Sequence, residues 1–275
     1  MKLLDGKKIA DKKVDVLAEK VSTLNKQLAL AVILVGNDSA SHLYVKLKEK
    51  KAKEIGIELR KYIFNSRSDE KEILDCINFL NNDEDTQGII VQLPLPEKFD
   101  QNKIVNSINP KKDVDGFHAE NQKFFLNDEE IIYPVFPRAI MTLVKEIKFD
   151  FSKTKKAVVI GKSDVFDRVM THALDREGFT SQFIKCDTVE DNLDLIFEAD
   201  VVVSACGIPS LLKGEMFKDG ATVIDGGISE IDNKTVGDVD RETCLKKNIF
   251  LSPVPNGVGP LTIACLLENV YKLGK

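Results

Sequence analysis

The regular alternation of short apolar runs with helix-like segments constrains the fold of this chain more than any other feature. The apolar runs at residues 28–35, 88–92 and 157–161 have the length of buried strands. Helix-like segments of about 10–15 residues alternate with these and with further short runs along the chain, and this alternation is typical of helices that connect the strands of parallel sheets. The sequence therefore predicts an α/β protein.

The alternation breaks at about residues 110–135, where turn residues, acids and aromatics take its place. We therefore predict two α/β lobes around a cleft, joined near residues 120–150. Ligands of parallel sheets bind outside the carboxyl ends of the strands, so we expect a ligand in that cleft.

Composition excludes several classes of protein. The net charge is −5, which argues against a nucleic-acid-binding protein, and no apolar run approaches the length of a membrane span. The five cysteines are scattered without C-x-x-C spacing, so we expect neither a disulfide framework nor a structural zinc site. The three histidines show no ligand spacing, so we predict no metal. Without a signal-like apolar segment at the N-terminus, we expect a cytoplasmic protein.

Ser41, Tyr44 and Lys48 are spaced to share one face of a predicted helix. The simple interpretation is that the many lysines of this segment form a solvated basic face. A lysine one turn after a tyrosine is also a candidate proton carrier, because partial burial lowers the pKa of lysine.

Two further segments are candidates for ligand binding, the first directly after an apolar run and the second between the predicted lobes. Gln92-Leu-Pro-Leu-Pro96 is either a stiff exit loop or a ligand-binding strand end. Lys112-Asp-Val-Asp-Gly-Phe117 is either an acidic turn or the source of a carboxylate that binds the amino edge of a heterocycle.

The second half contains two glycine-bearing turns. Gly161 ends an apolar strand before a helix-like segment, as in a dinucleotide-binding turn, but the full G-x-G-x-x-G pattern is absent. Residues 253–262 hold three prolines and two glycines, which indicates a rigid loop that is either structural or positions a ligand.

In order and spacing, these segments resemble the bifunctional methylenetetrahydrofolate dehydrogenase/methenyltetrahydrofolate cyclohydrolase family along almost the whole chain. The matching motifs are Val35-Gly36 with Ala40-Ser41, Tyr44-Val-x-x-Lys48, Gln92-Leu-Pro-Leu-Pro96, Lys112-Asp-Val-Asp-Gly-Phe117, Ala205-x-Gly207-x-Pro209, Gly237-Asp-Val-Asp240 and the 253–262 loop.

The resemblance implies a folate-binding catalytic lobe, residues 1–120 with a C-terminal helix 261–275, and a Rossmann-type lobe with a doubly wound parallel sheet, residues 121–260. It implies NADP-dependent oxidation of 5,10-methylenetetrahydrofolate to the methenyl cation and hydrolysis of that cation to 10-formyltetrahydrofolate. NADP, with NAD as the alternative, is the expected cofactor and tetrahydrofolate carries the one-carbon unit. The resemblance also implies a homodimer.

The family's site residues transfer onto matching positions. Lys48 corresponds to the essential lysine that handles protons, Gln92 to the residue that orients it, and Asp115 to the carboxylate that anchors the pterin. The residues expected to bind substrate are Tyr44, Gln92, Asp115, Gly257, Gly259, Pro260 and Thr262. The residues expected to bind the dinucleotide are Gly161, Lys162, Ser163, Cys186, Asp187 and Ile228.

The dinucleotide segments depart from the family pattern. Asp167 stands where the turn has its second glycine, and Val169 replaces a proline. After the next strand the family has Cys-His-Ser-Arg-Thr, and here Asp187 takes the place of the arginine. An acid at this strand end favours the ribose diol of NAD over the 2′-phosphate of NADP, although Lys162 and Lys185 blur that inference.

Other departures are Val135-Phe136 for a Cys-Thr pair, Gly226 for a valine and Asn256 for a glycine. These changes are either drift within a working bifunctional enzyme or signs of a cyclohydrolase with an impaired or NAD-preferring dinucleotide site. A folate-lobe scaffold or dimer partner is the non-enzyme alternative, but a scaffold needs none of Tyr44, Lys48, Gln92 and Asp115. An unrelated NAD-dependent dehydrogenase would lack the segments at 92–96 and 112–117.

Overall fold

The computed structural model describes residues 1–232 and 234–275, which divide into two compact units. The three-stranded unit consists of Ala10–Val135 and Ile263–Lys275, and the six-stranded unit consists of Met1–Ile9 and Phe136–Thr262. In the described residues, no helix is long and apolar enough to cross a membrane.

Strands and helices alternate along most of the chain. The strands are β1 (Lys2–Leu3), β2 (Leu28–Val35), β3 (Ile57–Phe64), β4 (Gly88–Val91), β5 (Lys155–Gly161), β6 (Phe179–Lys185), β7 (Val201–Ala205), β8 (Thr222–Asp225), β9 (Ser229–Ile231), β10 (Lys234–Val236) and β11 (Phe250–Ser252). The α-helices are α1 (Gly6–Ser22), α2 (Ser39–Glu54), α3 (Glu70–Asn82), α4 (Gln101–Val105), α5 (Ala119–Leu126), α6 (Val135–Val144), α7 (Asp164–Asp175), α8 (Leu193–Glu198), α9 (Arg241–Cys244) and α10 (Val258–Gly274).

The three-stranded unit is built on a parallel sheet of order β3-β2-β4. Each residue of β2 is buried, which explains why its sequence is continuously apolar rather than alternating. The end of α10 belongs to this unit: Asn269 donates from Nδ2 to the Val114 carbonyl at 2.9 Å, and Glu268 pairs with Lys13 at 3.0 Å.

The six-stranded unit has a parallel sheet of order β1-β11-β8-β7-β5-β6. The chain leaves β5 to form β6 on one side and later returns to form β7 on the other. This reversal of strand order is the switch point at which doubly wound sheets bind ligands. The predicted α/β class and the Rossmann-type parallel sheet are confirmed.

Two predicted helices have different limits. The sequence pattern predicts a helix over residues 189–198, but in the structure a 3₁₀ turn at Glu190–Asn192 precedes α8. Asp191 and Asn192 favour turns and caps over helix interiors, which accounts for the break. Conversely, α10 begins at Val258, earlier than the predicted 261, since the first turn of a helix tolerates Pro260 without loss of a hydrogen bond.

Candidate active site

Lys48 is the one lysine of α2 that its helix buries, with 9% of its surface exposed. Asp38 caps this helix by accepting a hydrogen bond from the Ser41 amide at 2.7 Å. Val45 and Ser41 are buried on the same face, whereas Lys46, Lys50 and Lys53 are exposed. A solvated basic face therefore describes the neighbouring lysines but not Lys48.

Gln92 receives the Lys48 side chain. The Lys48 ammonium donates to Gln92 Oε1 at 2.8 Å, and Gln92 Nε2 donates to the Leu93 carbonyl at 2.8 Å. Gln92 directly follows β4, and its amide donates to the Ile33 carbonyl on β2 at 2.8 Å. The parallel sheet thus fixes the glutamine at its carboxyl edge, and both ends of the amide are used to orient the lysine.

Asp115 lies close enough to Lys48 for the charge of each group to affect the pKa of the other. Burial raises the pKa of Asp115 to about 6, the positive charge of Lys48 opposes the rise, and nearby Asp113 adds to it. For Lys48, burial lowers the pKa and the charge of Asp115 opposes that shift. Each group therefore exchanges its proton closer to neutral pH than an exposed group does, as acid–base chemistry requires.

Asp113 shapes the turn that carries Asp115. Its buried carboxylate accepts from the amides of Gly116 at 3.0 Å and His118 at 2.9 Å, and from Asn121 Nδ2 at 2.9 Å. Asp113 is therefore committed to structure, and Asp115 is the acid of this turn whose charge acts on Lys48. The motif alone did not separate the two acids, whereas the family resemblance assigned the pterin anchor to Asp115, which stays a prediction.

Tyr44 lies one turn before Lys48 on α2 and is half-buried. Burial raises the pKa of its phenol, so the hydroxyl is protonated near neutral pH and can donate a hydrogen bond. The aromatic ring offers an apolar surface beside it. The structure thus gathers Tyr44, Lys48, Gln92 and Asp115 within the three-stranded unit.

The residues predicted to bind the dinucleotide lie in the six-stranded unit. Gly161 ends β5, and a Cβ at this position would meet the Phe166 ring at 3.0 Å. Ser163 caps α7, a helix of 12 residues, and Lys162 is exposed beside it. A glycine at the strand end followed by a helix N-terminus fits the pyrophosphate of a dinucleotide.

The acidic residues at this turn are partly neutralised. Lys185, at the end of β6, forms an ion pair with Asp164. Burial raises the pKa of Asp167, and the charge of Lys185 opposes that rise. Asp167, which replaces the second glycine of the family's turn, therefore places a carboxyl group there, and the positive charge of Lys185 lies close to it.

Cys186 is bonded to Cys206 in a disulfide, which the sequence analysis did not expect. The two cysteines are 20 residues apart in the chain, and they meet because β6 and β7 end at the same edge of the sheet. The signal for Cys206 was its place directly after an apolar strand, within the Ala205-x-Gly207-x-Pro209 motif. Asp187 and Ile228 are exposed at the same edge.

The rigid loop at 253–262 belongs to the six-stranded unit. Asn256 has φ +79°, a left-handed conformation that asparagine tolerates, which explains how it replaces the family's glycine. Thr262 donates its hydroxyl to the Gly259 carbonyl at 2.7 Å. That Gly257, Gly259, Pro260 and Thr262 contact substrate stays a prediction.

No group of three or more metal-binding side chains occurs in the described part of the chain. The polar groups of the candidate site are the Lys48 amine, the Gln92 amide, the Asp115 carboxyl group and the Tyr44 phenol.

Comparison with known proteins places both units. Residues 4–115 match the tetrahydrofolate dehydrogenase/cyclohydrolase catalytic domain, and residues 134–275 match the NAD(P)-binding domain of the same family. The bifunctional protein FolD of Campylobacter hominis is 42% identical over 279 residues, covering 100% of this chain and 98% of the relative.

Two solved structures extend the likeness. The bifunctional FolD methylenetetrahydrofolate dehydrogenase/cyclohydrolase of Campylobacter jejuni superposes with a TM-score of 0.93 at 40% identity, covering 100% of this chain and 98% of the other. The Trypanosoma brucei enzyme, complexed with NADP and an inhibitor, gives a TM-score of 0.92 at 30% identity, covering 98% and 96%.

Proposed function

Since this chain belongs to the tetrahydrofolate dehydrogenase/cyclohydrolase family, we propose that it catalyses two consecutive steps of one-carbon folate metabolism. The first is NADP-dependent oxidation of 5,10-methylenetetrahydrofolate to the 5,10-methenyl cation. The second is addition of water to that cation, which gives 10-formyltetrahydrofolate and releases one proton. The arrangement of Lys48, Gln92 and Asp115 is the observation that supports this function most directly.

The hydrolytic step needs a group that moves protons at the bridging carbon. Water attacks that carbon, and the ring opens when a C–N bond breaks and the nitrogen is protonated. Lys48 is suited to both transfers because burial lowers its pKa, and Gln92 Oε1 holds its nitrogen in place. Asp115 anchors the pterin ring by accepting hydrogen bonds from its amino edge.

The oxidative step needs two rings in register rather than a protein acid or base. A dinucleotide held in the six-stranded unit would supply the hydride acceptor. Gly161, Lys162 and Ser163 are suited to hold the pyrophosphate, and Asp187 and Ile228 lie at the strand ends that flank it. These residues bind and orient the dinucleotide, and Lys48 acts only in the hydrolysis that follows.

A second candidate is a cyclohydrolase with an impaired or NAD-preferring dinucleotide site. Two observations favour it: the carboxyl group of Asp167 in the glycine turn, and the exposed Asp187 at the end of β6. A folate-lobe scaffold without activity is disfavoured, because it has no use for a buried lysine held by Gln92.

The test compares two rates in one preparation of the purified protein. Oxidation of 5,10-methylenetetrahydrofolate is measured with NADP and NAD at matched concentrations, and hydrolysis of the methenyl cation is measured without dinucleotide. Turnover with NADP and hydrolysis together support the bifunctional enzyme. Hydrolysis without oxidation supports the second candidate, and absence of both leaves only the scaffold.

We also propose that the chain acts as a homodimer in the cytoplasm. Apolar side chains of the six-stranded unit are exposed on α8 (Leu193, Leu195 and Phe197), and Phe197 is 50% exposed. Such side chains favour burial against a second copy. Sedimentation velocity of the purified protein should give twice the mass of one chain, and a single-chain mass over the full concentration range contradicts the homodimer.

A further inference from the structure

Cys186 and Cys206 lie on either side of β5, which is the neighbour of the edge strand β6 in the six-stranded sheet. Gly161, the last residue of β5, is in register with Lys185 of β6 and with Ala205 of β7. Each cysteine is the next residue along its chain. The two cysteines therefore flank the strand end that leads into the predicted pyrophosphate turn.

The disulfide draws these two chain segments together beyond β5. Neighbouring strands lie about 4.8 Å apart, so segments on the two sides of a strand are separated by about 9.6 Å. The Cα atoms of Cys186 and Cys206 are only 5.9 Å apart. The gap between β6 and β7 thus narrows just past Gly161, and two sulfur atoms occupy it.

The two segments are held differently: beside Cys186 the Thr188 hydroxyl donates to the Lys185 carbonyl at 3.0 Å, whereas a buried carboxylate holds the segment of Cys206. The buried Asp238 carboxylate accepts from the amides of Cys206 at 2.7 Å and Ile208 at 2.8 Å, and from the Ser204 hydroxyl at 2.6 Å. In the described residues, no comparable side chain anchors the Cys186 amide. Bond formation is therefore expected to move the segment of Cys186, which also carries Asp187.

We propose that Cys186 and Cys206 form a redox-active site that exchanges with low-molecular-weight thiols and disulfides, and that their disulfide weakens dinucleotide binding. The proposal rests on the proposed function, since it assigns the dinucleotide to this sheet edge. A dinucleotide crosses the end of β5, from the adenosine ribose near β6 to the nicotinamide beyond β7. The buried disulfide would act on that path through the two segments that it joins.

The exchange is balanced by the external thiols. A thiolate attacks one sulfur of the disulfide and forms a mixed disulfide, while the other cysteine leaves as a thiolate and takes up a proton. A second external thiolate releases the remaining cysteine, so two external thiols become one disulfide. In the reverse direction, glutathione disulfide oxidises the two cysteines. Cys186 and Cys206 are both buried, at 7% and 2% exposure, so attack on the more exposed Cys186 requires local opening of the chain.

The test measures dinucleotide affinity in both redox states of the full chain. Protein reduced with dithiothreitol, and protein oxidised with glutathione disulfide and then freed of it, are titrated with NADPH by fluorescence and with NADP and NAD by calorimetry. Alkylation of the denatured chain, followed by mass spectrometry, should count five thiols after reduction and three after oxidation. We expect oxidation to raise the Kd about tenfold.

Two variants locate the effect. Cys206→Ser should give one Kd under both conditions, because it cannot form the disulfide. Cys76→Ser, which removes a half-buried thiol of α3 in the other unit, should respond to oxidation as the wild type does. The proposal is overturned if five thiols persist after oxidation, or if three remain but the Kd is unchanged.

Hydrolysis of the methenyl cation separates this proposal from the proposed function. The hydrolytic residues lie in the three-stranded unit, so this rate should be the same in both redox states. Loss of hydrolysis in both states contradicts the proposed function, whatever the Kd values show. Hydrolysis without measurable dinucleotide binding in either state contradicts the redox site and supports the cyclohydrolase alternative.

Discussion

Lys48 Nζ lies 2.8 Å from Gln92 Oε1, and this contact joins a helix to a strand end 44 residues further along the chain. The lysine comes from a face of α2 and the glutamine from the end of β4. Together they present a buried amine whose free electron pair becomes available when it loses its proton. The first predictions concern this pair and its carboxylate neighbour.

Replacing Lys48 with methionine should lower the rate of methenyl cation hydrolysis about a hundredfold or more, since the proton carrier is lost. Oxidation of 5,10-methylenetetrahydrofolate should be retained, because hydride transfer needs no protein acid or base. Stopped-flow absorbance measures both rates. Lys46→Met removes an exposed lysine from the same helix and should leave both rates unchanged. Persistent hydrolysis in Lys48→Met excludes the role given to this residue.

Replacing Asp115 with asparagine should make the free protein more stable at high pH. The folded pKa of about 6 lies above the ordinary 3.8, so ionisation is unfavourable in the folded state. The stability that comes from this group is present below the ordinary pKa and is lost as the pH rises through about 6. At pH 8 we expect a gain of about 1 kcal/mol, discounted because Lys48 loses its neighbouring charge and the site is partly open.

Urea unfolding at pH 5 and pH 8 measures this difference, which should be smaller at the lower pH. Asp85→Asn changes an exposed aspartate and should show no such dependence. The same Asp115→Asn variant should bind folate more weakly, because the site sacrifices stability for recognition. A gain in stability that is equal at both pH values argues against the raised pKa.

Phe136 and Gly226 should behave as a coupled pair. A Cβ at Gly226 would lie 2.8 Å from Phe136 Cζ and 2.9 Å from the Ser204 carbonyl oxygen. Gly226→Ala should therefore destabilise the protein by about 1–3 kcal/mol. In a Phe136→Ala background the same change should cost about 1 kcal/mol less, measured as a double-mutant cycle of unfolding free energies. Additive effects contradict the coupling.

Asp187→Arg should shift cofactor preference toward NADP. Asp187 is exposed just after β6, the strand end where the family resemblance places the adenosine ribose, and a guanidinium there would bind a 2′-phosphate. We expect the ratio of kcat/KM for NADP over NAD to rise about tenfold or more. Asp194→Arg makes the same charge change on α8, and an equal shift in that variant would falsify the assignment.

Sequence patterns within a short segment correctly predicted the strands and helices that carry the site residues. The apolar run of β2 and the turn residues after β4 placed Gln92 at a sheet edge, and helical spacing placed Tyr44 and Lys48 together. The family resemblance assigned the pterin anchor to Asp115, but the structural role of Asp113 could not be predicted, because both acids lie in one turn. The hydrogen bonds of Asp113 identify it as the structural carboxylate.

Contacts between residues that are far apart in the chain could not be predicted from the sequence, because they depend on the order of the strands in the sheet. Cys186 meets Cys206 only because β5 lies between β6 and β7. Phe136 fills the space beside Gly226, although 90 residues separate them, and no periodicity links the two positions. The family comparison marked both as departures, and the structure explains Phe136 and Gly226 as one compensated change.

The helices α1 and α10 each contribute residues to both units, and this division determines which unit can be completed first during translation. The six-stranded unit begins with Met1–Ile9, and the three-stranded unit, encoded mostly in the first half of the chain, also needs Ile263–Lys275. A nascent chain emerging from the ribosome therefore cannot finish the unit that carries Lys48 until its last helix is translated. Chaperone dependence and protease sensitivity of stalled chains should concentrate in that half-finished unit, even though its own sheet is made first.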